Sequence, residues 1–255
     1  MSRRHRWLLA ASAADLLFLY APIAVLIVFS FNGSRLSAVW QGATLEWYRL
    51  LVQDEALLAA VRNSLAVGTV STVVATLLGL SAAVGLERLP LRGQRLVEGA
   101  MLFPLVVPEI MMGVALMLFF ILVKLPLGLA TVMIGHAAFN VPVVMVIVRA
   151  RLRKLDPALE EAARDLGATP WQAFRRVTLP LLAPAVLGAV LMAFTVSLDD
   201  FIVTFFTAGP GSTTLPLKVY SMVKSGVSPE INALSAVLVL LSMGLIGVSL
   251  ALQRR

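Results

Sequence analysis

The chain has no cysteine. Disulfides, thiolate metal sites and cysteine nucleophiles are therefore excluded. Charge is also scarce: Asp, Glu, Lys and Arg make up 14% of the residues, against about 25% in an average soluble domain. None of the lysines, Lys124, Lys154, Lys218 and Lys224, follows a glycine. The Gly-Lys-Ser/Thr phosphate loop of a nucleotide hydrolase is thus missing. No Ser/His/Asp arrangement or metal-ligand spacing stands out either. What the chain has in excess is apolar surface, with 59% hydrophobic residues and a mean hydropathy of +0.91. Such a sequence is too greasy for a water-soluble globule, and its composition is the opposite of a disordered one. The question that 255 residues pose is how many bilayer crossings they hold.

A spanning helix needs about 20 predominantly apolar residues. Six stretches qualify, at about 8–31, 64–86, 101–123, 129–148, 181–206 and 232–252. The third is interrupted by Pro104, Pro108 and Glu109, and the fifth carries Asp199 and Asp200 near its end. An even number of spans puts both termini on one side. That side collects fifteen of the basic residues, at the N-terminus, in the 87–100 and 149–180 loops and at the C-terminus. The other side holds six: Arg35, Arg49, Arg62, Lys124, Lys218 and Lys224. The excess predicts cytoplasmic termini. It also accounts for the net charge of +7 without nucleic acid. Ser2-Arg3-Arg4-His5-Arg6-Trp7 has the look of a secretion signal, but the apolar run that follows is too long and is interrupted by Asp15. We read it as an uncleaved first span, with Asp15 at the interface.

The loop between the fourth and fifth spans is long and patterned. Leu155, Leu159, Ala162 or Ala163, and Leu166 recur at helical spacing. Asp156 and Pro157 suit the start of that helix, and Gly167 its end. Thr169 and Pro170 then start a second helix, with Trp171, Phe174 and Val177 on its apolar side and Leu179-Pro180 closing it. A surface hairpin with no task, or a DNA-reading pair of helices, has the same outline. Small residues on a basic background suit docking into a partner's groove better.

Glu161-Ala162-Ala163, then Gly167, Val177 and Leu179-Pro180, resembles the EAA motif of permease subunits of binding-protein-dependent ABC importers. Val177 stands where that motif often has isoleucine. The resemblance implies an all-α, polytopic membrane protein with the type I ABC importer permease (MetI-like) fold. Its single permease domain would cover 1–255, with a cytoplasmic coupling hairpin at 156–180. Glu161, Ala162, Ala163, Gly167, Leu179 and Pro180 would be the positions coupled to a separate ATPase. ATP and magnesium would bind that partner, and this chain would be neither an enzyme nor a metal protein.

Ionisable residues inside spans are costly. Glu109 reads as about 12 Å into the third span at 1.5 Å per residue. Asp199 and Asp200 diverge by about 100° if the fifth stays helical, over Thr195 and Thr204 respectively. Without an intramembrane Lys or Arg in the chain, a partner's arginine or a cationic cargo must balance the three carboxylates, or they stay protonated. His136 and Asn140, four apart in the fourth span, suit a helix–helix hydrogen bond. A polyamine cargo would need spaced carboxylates and aromatic faces; Trp47 and Tyr48 in the first external loop can supply such faces or anchor at the interface.

The runs Phe194–Phe201, Ala208–Gly211, Leu215–Lys224 and Gly226–Leu234 resemble the spermidine/putrescine permease family, as does Pro108-Glu109-Ile110, where aspartate is the expected acid. An acid that some members carry near Pro170 is missing. The resemblance implies passage of polyamines along Trp47, Glu109, Ser197, Asp199 and Asp200. It also implies a second homologous permease, an ATPase dimer and a periplasmic polyamine-binding protein that contacts Gly209–Asn232, all at a bacterial inner membrane. The alternatives are the same fold with ferric iron, thiamine or an anion as cargo, an ion-coupled secondary transporter, or a membrane scaffold. The secondary transporter would leave the hairpin without a task, and the scaffold would not need the carboxylates.

Overall fold

In the computed structural model, residues 3–34, 39–89, 92–226 and 228–253 are described. Ser2, Arg35, Val227, Arg254 and Arg255, used above, lie outside them. The helices are α1 (Arg3–Phe29), α2 (Glu46–Gln53), α3 (Glu55–Arg88), α4 (Gln94–Val106), α5 (Glu109–Leu122), α6 (Leu129–Leu152), α7 (Ala158–Asp165), α8 (Pro170–Ala173), α9 (Leu179–Asp199), α10 (Ile202–Thr207), α11 (Leu215–Lys224) and α12 (Pro229–Gln253). The only β pairing among the described residues is an isolated bridge between Asn32 and Ala43.

By length and composition, Trp7–Phe29, Glu55–Arg88, Leu129–Leu152 and Pro170–Asp199 can each cross a bilayer. In α12 the apolar stretch Pro229–Gly244 is shorter. Large apolar side chains are widely exposed, among them Leu17, Phe18, Leu118, Leu122, Leu187 and Leu191. Apolar patches on that scale are foreign to a water-facing surface and fit lipid or partner subunits.

The contacts divide the chain into two units, 1–58 with 218–255, and 59–217. In the first, α12 packs on α1 and α2. Asn32 organises the turn after α1. Its fully buried amide accepts from Gln41 N at 2.9 Å and donates to Val39 O at 2.7 Å. Its own carbonyl accepts from Trp47 Nε1 at 2.7 Å. Nearby, Asp54 accepts from Ala56 N at 2.8 Å and Leu57 N at 3.0 Å, and pairs with Lys218 Nζ at 3.0 Å. Burial pushes the Asp54 carboxyl up, but the Leu57 amide and the Lys218 ammonium outweigh it and hold it below the usual aspartate range.

The second unit is built on small residues at four-residue spacing. Ala75, Gly79 and Ala83 share one face of α3, and Ala189, Ala193 and Ser197 share one face of α9. Lipid gives no hydrophobic reason for two helices to associate, so close backbone approach must supply the contact. A Cβ at Gly79 would lie 2.8 Å from both Val141 O and Val144 Cβ of α6. The core between α3, α6 and α9 is then filled by Leu86, Val144, Met145, Val148, Leu152 and Leu182.

Besides the short apolar stretch of α12, two spans differ from the sequence expectation. The third is α4 and α5, which meet at 108°. Val107, before a proline, is driven to extended backbone, and Pro108 has no N–H to continue the helix. Glu109 is consequently the first residue of α5, not a group deep in a straight span. The fifth ends at Asp199, where Asp200 is extended (φ −66°, ψ 124°) before α10 begins.

Two expectations follow. Gly79→Ala forces the α3–α6 contact apart and lowers stability by about 1–3 kcal/mol, whereas Gly99→Ala, with nothing within 4 Å of its Cβ, does not; thermal unfolding in detergent compares them. The stabilisation from the Asp54–Lys218 pair is present above the ordinary aspartate pKa and is lost as the pH falls through the depressed one. Asp54→Asn should remove that part of the acid-side loss of melting temperature.

Candidate functional site

α6 and α9 pack closely, and α10 lies against α5 and α6. Where they converge, a chain of polar side chains runs through the interior. His136 of α6 is 1% exposed. Its Nδ1 lies 2.6 Å from Ser197 Oγ, and its Nε2 lies 2.9 Å from Thr204 Oγ1 and 3.1 Å from Asp200 Oδ2. Ser197 Oγ continues to Ser71 Oγ of α3 at 3.1 Å. An ionised carboxylate only accepts, so opposite an ionised Asp200 the nitrogen that donates is Nε2. Asp200 also caps α10, accepting from Val203 N at 3.3 Å, Thr204 N at 2.9 Å and Thr204 Oγ1 at 2.9 Å.

This arrangement gives one of the three carboxylates a close neighbour within the chain. Asp200 has a hydrogen-bonding partner inside the chain, in His136, which the sequence reading did not foresee. The pairing of Asp200 with Thr204 holds, but as a helix cap across a break. His136 does make the expected link between helices; Asn140 does not share in it. Asn140 is fully buried, and neither of its amide atoms meets a partner. The hydroxyls of Thr72 and Thr76 are unpartnered in the same way.

The other acidic residues stand differently. Asp199 and Glu109 are both exposed on the isolated chain. Thr195, one turn before Asp199, turns its hydroxyl back to Leu191 O at 2.8 Å. Glu109 begins the helix whose Gly113 is seated on α10, with a Cβ position 3.4 Å from Ile202 O. Trp47 and Ser197 do not offer free surfaces. The Trp47 residue is 8% exposed with its N–H committed to Asn32, and Ser197 is buried within the polar chain. An aromatic face at Trp47 open to a cation is therefore not what this fold presents.

At the other end of α9 is the hairpin. Asp156 Oδ1 accepts from Ala158 N at 3.0 Å and starts α7. Gly167 at φ +90° ends it, with Gly167 N to Arg164 O at 2.9 Å and Ala168 N to Ala163 O at 3.1 Å. This left-handed stop satisfies the last carbonyls of α7. Thr169 caps α8 reciprocally with Gln172, at 3.3 and 2.9 Å. Glu161, Ala162 and Gly167 are exposed, as are Leu166 at 90% and Trp171 at 66%. Ala163 and Leu179 are half-buried and Pro180 is exposed.

Leu179-Pro180 does not close the hairpin. A wide turn of π-helix at Phe174–Thr178 carries the chain from α8 into α9 without a break. Proline in a helix clashes with the carbonyl four residues back and removes a hydrogen bond; widening the turn just before Pro180 accommodates both. The hairpin is also braced. Arg88, at the end of α3, pairs with Glu160 of α7 through both guanidinium Nη atoms. Thr178 Oγ1 donates to the same carboxylate at 2.7 Å, and the Arg88 guanidinium lies 5.4 Å from the centre of the Phe174 ring. Arg149 joins Glu87 at 2.9 Å and Glu98 at 2.6 Å, tying α6 to α3 and α4. A cavity of about 600 Å³ remains beneath α7, lined by Arg88, Leu152, Pro157, Glu160 and Thr178 among others. In the sequence these arginines counted only as topogenic charge. The adjacent Glu87-Arg88 at a span end was the available signal for the bracing.

A polytopic helical protein with a capped hairpin continuous with an acid-bearing span has the outline expected of an importer permease. Residues 75–255 match the family described as binding-protein-dependent transport system inner membrane component, and the chain belongs to it. It is a multi-pass component of the inner membrane. It is 42% identical over 237 residues to the spermidine/putrescine transport system permease protein PotC of Escherichia coli K12, covering 93% of this chain and 90% of that one. It is 41% identical over 251 residues to the putrescine transport system permease protein PotI of the same strain, covering 96% and 89%. Among solved structures, a bacterial ABC transporter involved in import of the acidic polysaccharide alginate matches with a TM-score of 0.73 at 19% identity, over 100% of this chain and 98% of that one. The inward-facing MetNI methionine ABC transporter matches at 0.64 and 22% identity, over 81% and 95%. These two establish the fold, of the type I, MetI-like class.

The polar interior separates two substitutions. His136→Leu takes one partner from Asp200 and one from Ser197 and is expected to cost about 1–3 kcal/mol, the range for leaving a buried polar group short of a partner. Asn140→Leu removes a group with no partner to lose and should be neutral or raise the melting temperature. Thermal unfolding of the two purified variants checks the contrast.

Proposed function

We propose that this chain is one of two permease subunits of an ATP-driven importer that moves polyamines, spermidine or putrescine, from periplasm to cytoplasm. The observation that carries the reading is the braced hairpin at 156–180, continuous with α9. The names of the relatives that match nearly the whole chain supply the cargo class. The chain acts as one permease domain over 1–255 with six crossings, counting α4–α5 and α12, and with cytoplasmic termini. It works with a second homologous permease, an ATPase dimer that binds ATP and magnesium, and a periplasmic polyamine-binding protein docked near Gly209–Asn232.

The mechanics follow from rigidity. Glu161, Ala162, Ala163 and Gly167 seat in a groove of the ATPase, with Leu166 and Trp171 as apolar contacts. Closure of the ATPase dimer pulls the hairpin, and a stiff helix hands that movement to the spans as a rigid-body shift. Leu179 and Pro180 lie at the joint. The binding protein delivers cargo outside, and the acids at the start of α5 and the end of α9 offer its ammonium groups a weak, transient station.

The test is uptake of labelled spermidine or putrescine by the reconstituted complex. Uptake is expected to need a hydrolysis-competent ATPase; uptake indifferent to ATPase inactivation rejects the reading. Leu166→Asp, at a position too exposed to matter for folding, is expected to weaken ATPase co-purification about tenfold or more through loss of an apolar anchor. Unchanged co-purification and uptake would remove the hairpin from the coupling interface.

A further inference from the structure

We infer that the adjacent aspartates do different work: Asp200 is a positioning residue, and of the two only Asp199 presents a carboxylate to the cationic cargo. The inference rests on the polyamine reading above. The Asp200 side chain is 7% exposed. Its Oδ1 takes Val203 N, and its Oδ2 takes Thr204 N and Thr204 Oγ1 and faces His136 Nε2. An ammonium group reaching it would have to displace the imidazole and uncap α10. That costs a buried, charge-assisted interaction for each one it makes.

What Asp200 does instead is fix a break. Its extended backbone ends α9 at Asp199, while its side chain starts α10. Ser197, bonded to His136 one turn earlier, holds the last turn of α9 to α6. A helix that stops inside a membrane protein leaves its final carbonyls free of helical donors, and such C-terminal ends are where cations are held in transporters with interrupted helices. The break therefore leaves Asp199 at the carbonyl end of α9, on the exposed stripe that includes Leu191, Thr195 and Asp199 itself. A carboxylate turned to lipid is too costly to keep, so this stripe faces a protein-lined, wet space in the assembled transporter. His136, Ser197 and Asp200 are the frame behind it.

Two measurements on the assembled complex test the division. In the wild type, carbodiimide with a hydrophilic amine is expected to label Asp199 and spare Asp200, read by fragment mass spectrometry, with excess spermidine protecting Asp199. Then D199N, D200N and D200A are compared for polyamine uptake and for ATP hydrolysis stimulated by the loaded binding protein. Asparagine keeps an acceptor for the α10 amides and for His136, so D200N should retain uptake within about threefold. D199N should lose about tenfold or more, the scale of a charge-assisted contact, with ATP turnover kept. D200A, which removes the cap, should lower both.

The inference is overturned if D200N loses uptake as far as D199N while ATP turnover is kept. It is equally overturned if Asp200 is labelled as fast as Asp199 in the wild type, a readout that needs no variant to assemble. Absence of any ATP-driven polyamine uptake in the wild type would instead reject the cargo, and the labelling order would still decide between the two carboxylates.

Discussion

One unbroken helical path, from Pro170 in the hairpin to Asp199 in the membrane, is the constraint on which the rest depends. It is 30 residues long, or about 45 Å at 1.5 Å per residue. A break at Leu179-Pro180 would have made the hairpin a loosely hung appendage. The π turn at Phe174–Thr178 absorbs the proline and keeps the path stiff. Arg88 and Thr178, sharing the Glu160 carboxylate, then set the angle between α7 and this rod. The hairpin and the acid at the far end of α9 are consequently two ends of one body. A displacement imposed at Gly167 does not have to be relayed through side chains to reach Asp199.

The interior is built for the same stiffness. Lipid offers α3, α6 and α9 no hydrophobic reward for associating, so the contact is made by Ala75, Gly79 and Ala83 on one side and Ala189, Ala193 and Ser197 on another, where backbones can touch. Into that small-residue seam the fold places a polar chain, from Ser71 through Ser197 and His136 to Asp200. Each member has a partner, and the chain pins α9 to α6 just before α9 ends. Asn140, one turn further along α6, has none, and marks where the polar lining outruns the hydrogen bonds available to it.

Much of this was legible in the sequence. Asp156, Gly167, Thr169 and Pro170 announced the hairpin because helix caps are local chemistry, written within four residues. Four of the expected spans, or five with the bent α4–α5 pair, were legible because hydrocarbon thickness imposes a length. Pro108 was visible as an interruption, but the 108° turn it permits was not, since proline licenses a bend without fixing its size. The break at Asp200 was hidden altogether. Asp199-Asp200 reads as two residues of a helix until Thr204 is known to be the capped partner. The His136–Asp200 pairing was missed because it joins positions 64 residues apart, and no spacing rule reaches that far. For the same reason Arg88 and Arg149 were counted as loop charges when they tie the helices together at the hairpin end. Trp47 looked like an external aromatic face because nothing in its neighbourhood revealed that Asn32 would claim its indole.

The most direct test of the rod uses the absence of native cysteine. With Leu166→Cys as the only thiol in this chain, and single cysteines placed in turn around the surface of the ATPase subunit, oxidation should link the two subunits at a restricted cluster of positions. Reduction should restore uptake. If Leu166→Cys links to no position on the ATPase, and only to other membrane segments, the hairpin does not receive the motion and the account of α9 as its conductor is wrong.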